Sequence, residues 1–170
     1  SKPCEFGAAS YETHAICTDG KYLYSLQPAQ FDLNPTNRQL RLYEFLGRCS
    51  AETGDRVLWP GERPIFPVSE AREVPDLFAG MYRGADRSNP FPGLNARHVA
   101  AGGGKVYIPL SYDNRIDIYD RETGERVGAF ADIPQPEGVA VDGAGNLYVC
   151  SGKQVLRLAP DGRRTIAVAQ

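Results

Sequence analysis

Gly138-Val-Ala-Val-Asp-Gly-Ala-Gly-Asn-Leu-Tyr-Val-Cys150 is the clearest of three similar runs in this chain of 170 residues. Two others align with each other without a gap at an offset of 84 residues: His14-Ala-Ile-Cys-Thr-Asp-Gly-Lys-Tyr-Leu-Tyr-Ser-Leu26 and His98-Val-Ala-Ala-Gly-Gly-Gly-Lys-Val-Tyr-Ile-Pro-Leu110. The third run matches them after one inserted residue, with Tyr148 opposite Tyr107. Internal repeats of this kind are typical of folds in which each unit packs against its neighbours.

The sequence after each run also repeats. Asn114-Arg-Ile-Asp-Ile-Tyr-Asp120 alternates apolar and polar residues, which predicts a half-buried strand, and Glu122-Thr-Gly-Glu-Arg-Val127 follows it. The corresponding segments are Leu40-Arg-Leu-Tyr43 and Glu52-Thr-Gly-Asp-Arg-Val57 in the first unit, and Gln154-Val-Leu-Arg-Leu158, Pro160-Asp-Gly162 and Arg164-Thr-Ile-Ala-Val168 in the third. The Thr-Gly and Asp-Gly pairs supply the positive φ that tight turns need. Each unit is therefore predicted to contain four strands.

A four-stranded antiparallel meander of about 40 to 45 residues is the blade of a β-propeller, so the predicted fold class is all-β. The segment Pro136-Glu-Gly-Val-Ala-Val-Asp142, with Gly145-Asn-Leu-Tyr-Val149 and Pro160-Asp-Gly162 after it, resembles an NHL-type propeller repeat. The resemblance extends over residues 135–168, less closely over 98–131, and least over 14–60, where the unit carries insertions. It implies a fold, an NHL-like propeller with a six-bladed ring, and carries little information about activity.

The repeat divides the chain into five parts. They are an N-terminal irregular segment (1–13), a blade with insertions (14–60), a Pro-rich connection or degraded blade (61–96), a blade (97–134) and a blade (135–170). Propellers need about 4 to 8 blades to close, so three blades leave open sheet faces. We expect these faces to be covered by the remaining blades of a longer protein, by a partner chain or by a second copy.

Composition excludes two classes of partner. The chain has 19 basic and 21 acidic side chains, a formal charge of -2, so it has no electrostatic footprint for nucleic acid. It also contains no run of the roughly 18 apolar residues that a membrane-spanning helix needs.

The two histidines, His14 and His98, occupy the same place in the gap-free alignment, before the first strand of two units. In NHL-type propellers this place lies near the mouth of the central channel, and the similar peptide-amidating lyases hold a metal there through histidines. The resemblance thus implies a channel site for zinc or calcium with His14 and His98 as ligands, although a catalytic zinc site typically has three protein ligands. The alternative is that each imidazole bonds the backbone at the end of a strand. Asp19, Asp142 and Asn146 are predicted to stabilise turns rather than to bind calcium.

Several aromatic residues lie at the edge of the first unit or beyond it. They are Trp59, Phe78, Tyr82 and Phe91. They are candidates for docking a partner or stacking on a sugar, and the alternative is that they pack over an open blade face.

The four cysteines contain no CxxC pair, which argues against a structural zinc site. Cys4 and Cys49 lie in irregular segments and are predicted to form a disulfide, whereas Cys17 and Cys150 lie in strand-like runs and are expected to be buried and apolar in character. A disulfide implies an oxidising compartment, so the predicted location is extracellular or periplasmic.

No complete catalytic set appears in the sequence, so the favoured function is a binding or scaffold module for a protein or carbohydrate partner. The alternative function is a metal-dependent lyase or hydrolase with its site in the central channel.

Overall fold

The computed structural model of the protein describes residues 15–28, 32–33, 40–42, 44–63, 65–68, 72–74 and 96–169. The strands, in chain order, are β1 (Ala15–Thr18), β2 (Tyr22–Pro28), β3 (Asp32–Leu33), β4 (Leu40–Leu42), β5 (Glu44–Ser50), β6 (Ile65–Pro67), β7 (Arg72–Val74), β8 (Ala100–Gly102), β9 (Lys105–Leu110), β10 (Arg115–Asp120), β11 (Arg126–Phe130), β12 (Pro136–Val141), β13 (Leu147–Ser151), β14 (Gln154–Leu158) and β15 (Arg164–Ala169). A short 3-10 helix, Ser111–Asp113, connects β9 to β10. The described part of the chain is therefore all-β, as predicted.

The strands form three four-stranded antiparallel sheets and one small three-stranded sheet. The first sheet has the order β1-β2-β5-β6, the second β8-β9-β10-β11 and the third β12-β13-β14-β15. The small sheet, β3-β4-β7, takes two strands from the first unit and its third strand, β7, from the predicted Pro-rich connection. In the second and third sheets each strand pairs with the next along the chain, which confirms the predicted four-stranded meander.

The third strand of the first sheet differs from the prediction. Leu40–Tyr43 was expected there, but β4 pairs with β3 and β7, and β5 takes the place beside β2. The reason lies in the turn that follows: Glu52-Thr53-Gly54 begins two residues after the end of β5, as Glu122-Thr123-Gly124 begins two residues after the end of β10. The strand that leads into this turn is the one that belongs to the sheet.

The two Thr-Gly turns have the same geometry. The amide of Gly54 donates to the Ser50 carbonyl and the amide of Gly124 donates to the Asp120 carbonyl, each at 2.9 Å. Gly54 and Gly124 adopt φ of 74° and 70°, a backbone conformation in which a Cβ is disfavoured. The predicted positive φ at these turns is confirmed.

The sheets pack face to face in chain order. One apolar cluster joins the first sheet to the second, with Tyr24, Leu26 and Leu46 on one side and Val106, Ile108 and Leu110 on the other. A second cluster joins the second sheet to the third and contains Ala100, Tyr107, Ile116, Leu147, Val149 and Leu158. We call these contacts the first junction and the second junction. Serial packing of four-stranded meanders is the arrangement of propeller blades.

The second junction is tight at one point. A Cβ on Gly102 would lie 2.8 Å from Cγ1 of Val141, so glycine permits the close approach of β8 and β12. In the described part of the chain, no helix has the length and apolar character to cross a membrane.

Candidate functional site

The first junction contains a buried arginine between two aromatic rings. The guanidinium carbon of Arg48 lies 4.6 Å from the ring centre of Tyr22 and 3.9 Å from that of Trp59. Arg48 and Trp59 are 4% and 1% exposed. A cation over an aromatic face is stabilised by the ring quadrupole, by about 2 kcal/mol when the group is desolvated. Arg48 is part of β5, so the sheet itself positions the guanidinium.

Arg48 connects the first sheet to the second. Its Nη2 donates to the carbonyl of Leu58 at 3.0 Å and to the carbonyl of Glu122 at 3.3 Å, and its Nη1 donates to the carbonyl of Arg121. Arg121 and Glu122 begin the turn between β10 and β11. One buried cation thus holds the β10–β11 turn against the first sheet.

Asp19 makes a second polar bridge at the same junction. Its Oδ1 accepts the amides of Lys21 at 3.0 Å and Tyr22 at 2.9 Å, and its Oδ2 accepts Tyr24 Oη at 3.1 Å and Arg121 Nη1 at 3.2 Å. Burial opposes ionisation of this carboxyl, but the four donors outweigh burial and lower its pKa below the usual value. Asp19 is therefore a carboxylate that links its own turn to the second sheet.

The third sheet carries the same turn without the bridge. Asp142 accepts the amides of Ala144 and Asn146 at 2.9 and 2.8 Å and the hydroxyl of Tyr148 at 3.3 Å. These contacts confirm that Asp19 and Asp142 stabilise turns. Asp19 differs from Asp142 in that it also forms an ion pair with Arg121, which belongs to the neighbouring second sheet.

Other buried polar groups lie at the first junction. Asp117 in β10 accepts Arg115 Nε at 3.0 Å and Arg126 Nη2 at 2.8 Å. The Glu44 carboxylate accepts the amide of Ala96 at 3.0 Å and thereby attaches the first sheet to the segment that leads into the second. The first junction is therefore an apolar cluster bordered by buried ionic groups.

The second junction uses hydroxyl groups instead. Ser111 Oγ donates to the carbonyl of Pro136 and Ser151 Oγ donates to the carbonyl of Pro134, both at 2.6 Å. The amide of Gln135 donates to Asn114 Oδ1 at 2.9 Å. These bonds hold the link between the second and third sheets. The two prolines take part through their carbonyls, because proline has no amide hydrogen to donate.

The two predicted metal ligands are not equivalent in the sheet registers. The tyrosines Tyr24, Tyr107 and Tyr148 pair with Cys17, Ala100 and Ala140 respectively. His98 lies two residues before Ala100. The residues two positions before Cys17 and Ala140 are Ala15 and Gly138, so these two correspond to His98 in the sheet registers. The gap-free alignment that matched His14 with His98 thus differs by one residue from the sheet registers, which relate Cys17 and Tyr24 to Ala100 and Tyr107 at an offset of 83 in place of 84.

His98 is exposed and precedes β8, and His14 lies outside the described residues. Among the residues that the structure describes, no group of three or more His, Cys, Asp or Glu side chains could hold a metal ion. The zinc or calcium site stays a prediction, and metal analysis of the purified protein is its direct test.

The predicted binding aromatics divide into two groups. Trp59 is packed in the first junction against Arg48. Phe78, Tyr82 and Phe91 lie outside the described residues. A role of these four side chains in binding a partner stays a prediction.

The cysteines have different environments. Cys49 is fully buried and disulfide-bonded, but Cys4 lies outside the described residues, so the Cys4–Cys49 pairing stays a prediction. Cys17 is a free thiol, and burial, with a smaller contribution from Asp19, raises its pKa to about 12. Cys150 is a free thiol but is exposed, which contradicts the expectation that it is buried. The reason is that no sheet in the described part of the chain covers its face of the third sheet.

The uncovered face of the third sheet is the candidate binding surface, and we call it the open face. Directly paired residues point to the same side of a sheet, so the register defines its members. They are Ala140, Tyr148, Cys150, Val155, Arg157 and Val168. Ala140 and Cys150 are exposed and Val168 is 55% exposed, whereas Val139, Val141, Leu147 and Val149 on the other side pack in the second junction.

The open face repeats a face that is covered elsewhere in the molecule. The pair Ala100 and Tyr107 lies on the side of the second sheet that packs against the third sheet. The pair Cys17 and Tyr24 lies on the side of the first sheet that packs against the second. Ala140 and Tyr148 form the third such pair, and no described residue covers it. The recurring tyrosine was visible in the sequence, but its side of the sheet follows only from the register.

Known proteins show a likeness of fold. No family model matches the sequence, and no curated protein matches it either. The structure is similar to a chain of the nidogen/laminin complex, with a TM-score of 0.53, 16% identity, and coverage of 95% of this chain and 49% of that chain. The present chain therefore spans about half the length of this β-propeller-type neighbour.

Two further neighbours have TM-scores below 0.5. One is a proposed 6-phosphogluconolactonase of Bacteroides fragilis, with a TM-score of 0.42, 10% identity, and coverage of 95% of this chain and 58% of that chain. The other is the PQQ-bound aldose sugar dehydrogenase of Streptomyces coelicolor, with a TM-score of 0.32, 12% identity, and coverage of 88% and 63%. The packed four-stranded sheets and the nidogen/laminin likeness together give this chain a β-propeller-type fold.

Proposed function

We propose that this chain is a binding or scaffold module of the β-propeller type, and that its open face binds a protein partner by packing against another β-sheet. The observation that supports this proposal is the repeated pair of a small residue and a tyrosine. In the first and second sheets this pair is covered by the next sheet, and in the third sheet Ala140 and Tyr148 are uncovered.

The chemistry of the open face fits a sheet better than a sugar. Four of its six members, Ala140, Cys150, Val155 and Val168, have short side chains with no hydrogen-bond donors or acceptors beyond the weak thiol. The polar groups of the other two already bond within the chain: the Tyr148 hydroxyl donates to Asp142 and the Arg157 guanidinium donates to Asn146. Burial of a valine side chain stabilises a complex by about 1.5 to 3 kcal/mol. Contiguous exposed apolar side chains of this kind typically mark sites of protein interaction.

The finer assignment of the fold belongs to the same proposal. The third sheet carries the sequence that resembles an NHL-type repeat, and its observed meander is the one that the resemblance implies. We propose that the complete ring has six blades. An extracellular or periplasmic location would follow from a Cys4–Cys49 disulfide, because such bonds persist in oxidising compartments.

Photo-crosslinking from Cys150 tests the proposed function. A photoactivatable maleimide is attached to Cys150 on the open face, and crosslinked peptides from an extract of the source organism are identified by mass spectrometry. The expected product is one protein linked through apolar strand residues, and its binding to the unlabelled chain should be lost in the Val155→Asp variant.

The control carries the same label at Val127→Cys in a Cys150→Ser background, since Val127 is exposed on the second sheet. Identical crosslinks from both positions, or no crosslink from Cys150, would overturn the proposal.

A further inference from the structure

We propose that Arg157 on the open face recognises the partner's sheet by donating hydrogen bonds to backbone carbonyls in the tight turn between the third and fourth strands of that sheet. This inference rests on the proposed function, because it names what the partner at the open face presents. The partner is a separate protein that supplies a four-stranded antiparallel sheet. The support comes from the first junction, where the equivalent arginine binds such a turn.

The sheet registers make Arg157 the counterpart of Arg48. Tyr24 pairs with Arg48 on the third strand of the first sheet, and Tyr148 pairs with Arg157 on the third strand of the third sheet. Directly paired residues point to the same side of a sheet, so each arginine shares the side of its tyrosine. That side packs against the second sheet in the case of Tyr24 and is the open face in the case of Tyr148.

The second sheet has no arginine at this place. Tyr107 pairs there with Ile118, which packs against the apolar cluster of the second junction. An arginine opposite the tyrosine is therefore not a general requirement of the repeat. It occurs in the first sheet, whose junction contains a bound turn, and again in the third sheet, whose face is open.

Arg48 shows what an arginine at this place binds. It donates to the carbonyls of Arg121 and Glu122, which begin the turn between the third and fourth strands of the second sheet. Hydrogen bonds from a charged donor are stronger than those between neutral groups. Every turn has backbone carbonyls, so this contact depends on the shape and position of the turn. A sheet that covers the open face in the same way brings its own turn to Arg157.

The guanidinium of Arg157 has donors available for such a turn. Arg157 is exposed, and among the described residues its hydrogen-bond partner is Asn146, whose Oδ1 accepts from Nη2 at 3.0 Å. A guanidinium carries several N–H donors in a fixed fork, so one bond leaves most of them unused. Asn146 lies two residues before Tyr148, as Tyr22, which stacks on Arg48, lies two residues before Tyr24.

The partner's turn needs no basic side chain at this site. At the first junction, Arg121 Nη1 donates to Asp19 Oδ2 at 3.2 Å. In the third sheet the corresponding oxygen, Asp142 Oδ2, already accepts Asn146 Nδ2 at 2.8 Å and the Tyr148 hydroxyl at 3.3 Å. A neutral amide of this chain thus takes the place of the guanidinium. Backbone carbonyls are the groups of the turn that remain for Arg157 to bind.

A cyclic hairpin peptide tests the inference. The probe carries residues 116–130, which form the β10–β11 hairpin, and is closed by a D-Pro-Gly turn. It is titrated into the isotope-labelled chain up to about 1 mM, a range that covers weak affinities. The NMR signals of the Arg157 Nε–H and the Tyr148 amide should shift. Labelling of Cys150 by a maleimide should slow, with Cys17 as the internal reference.

Substitutions in the chain and in the peptide locate the contact. Arg157→Met keeps the aliphatic stem but removes the donors, so the peptide should bind about tenfold more weakly. Lys153→Met removes one positive charge from an exposed turn of the same sheet and should leave the affinity unchanged. A peptide with both Arg121→Ala and Glu122→Ala should bind the wild-type chain as well as the original probe does, because its turn carbonyls remain.

The possible results separate this inference from the proposed function. No shift at Arg157, or equal binding by Arg157→Met, overturns the inference, while a protein crosslinked through Cys150 would leave the proposed function standing. Loss of binding by the doubly substituted peptide also overturns it, because side chains would then carry the recognition. Self-association of the chain in analytical ultracentrifugation that Arg157→Met removes would make the occupant a second copy and overturn a separate partner. If neither the peptide nor any protein from the extract reaches Cys150, both proposals fail.

Discussion

The two junctions between sheets are built from different chemistry, although the sheets that form them are repeats of one another. The first junction combines an apolar cluster with buried ionic groups, among them Arg48, Asp19 and Asp117. The second junction combines an apolar cluster with two serine hydroxyls that donate to proline carbonyls. A buried ion is stable only with fixed partners, so the first junction specifies one geometry, while the second relies on shape and apolar area.

A repeat can therefore keep its backbone while changing the groups that hold it to its neighbour. Tyr24 and Tyr148 both donate to an aspartate in the preceding turn, at 3.1 and 3.3 Å. Only Asp19 also accepts a guanidinium from the next sheet. In the third sheet the turn is stabilised by contacts within its own sheet, whereas in the first sheet the turn also contacts the second sheet.

The largest expected effect is at the second junction. Leu147→Ala removes a fully buried side chain from the centre of that junction and leaves a cavity, which should lower the free energy of unfolding by about 3 kcal/mol. Urea denaturation monitored by tryptophan fluorescence measures it, with Val127→Ala as the control at an exposed site. A loss below about 1 kcal/mol would show that the second junction does not depend on apolar packing.

A smaller loss is expected when the first junction loses its cation. Arg48→Met keeps the aliphatic stem but removes the guanidinium and its bonds to the carbonyls of Arg121, Glu122 and Leu58. The lost charged hydrogen bonds outweigh the relief of desolvation, so unfolding free energy should fall by about 2 kcal/mol. Arg163→Met, at a highly exposed arginine, is the matched control in the same urea titration. An unchanged or increased stability would mean that apolar contacts alone hold the first junction.

Acid should weaken the first junction selectively. The folded-state pKa of Asp19 is lowered, so its contribution is complete above the unfolded pKa of about 3.9 and is lost as pH falls through the lower folded value. Asp19→Asn should therefore be less stable than wild type at neutral pH, and the difference should shrink as the solution is acidified below about pH 4. Thermal unfolding from neutral to acid pH gives the comparison, and Glu137→Gln removes an exposed carboxylate as the control. A difference that does not change with pH would contradict the assigned role of the carboxylate.

The smallest effect is expected at the rim of the first junction. Lys21 Nζ lies 2.8 Å from Glu122 Oε1, but both side chains are about half exposed, at 51% and 47%. Water and salt screen such a pair, so Lys21→Met should lower the melting temperature slightly at low ionic strength and not at all in high salt. The control is Lys153→Met, which removes the charge of another exposed lysine and so shows the effect of losing a charge alone. A large or salt-independent loss would place Lys21 among the groups that hold the junction.

The repeat predicted the second and third sheets well because their units contain few insertions. Their strands follow one another in sequence, so local alternation and the turns at Gly124 and Gly162 are enough to place them. In the first sheet a connection that contains β3 and β4 separates β2 from β5, and local alternation made Leu40–Tyr43 look like the missing strand. Strand pairing across a long connection depends on contacts that sequence alternation does not encode.

The candidate site was less predictable than the fold. The sequence offers Trp59 either as a docking aromatic or as a residue packed over a blade face, and the structure packs it on Arg48, a residue that nothing in the sequence distinguished. Cys150 was expected to be buried because it lies in an apolar strand, but burial depends on whether a neighbouring sheet is present. A pattern of alternation shows that a strand has two faces and does not show which of them is covered.

The repeat, the four-stranded unit and the turns are encoded locally, because they depend on period-two alternation and on glycine at positive φ, which are properties of neighbouring residues. The strand that completes the first sheet, the buried ions that join the first and second sheets, and the open face of the third sheet became clear only from the packed sheets. Those features depend on one sheet meeting another, and a one-residue difference in register, such as the one that separates His14 from the position of His98, is enough to change them.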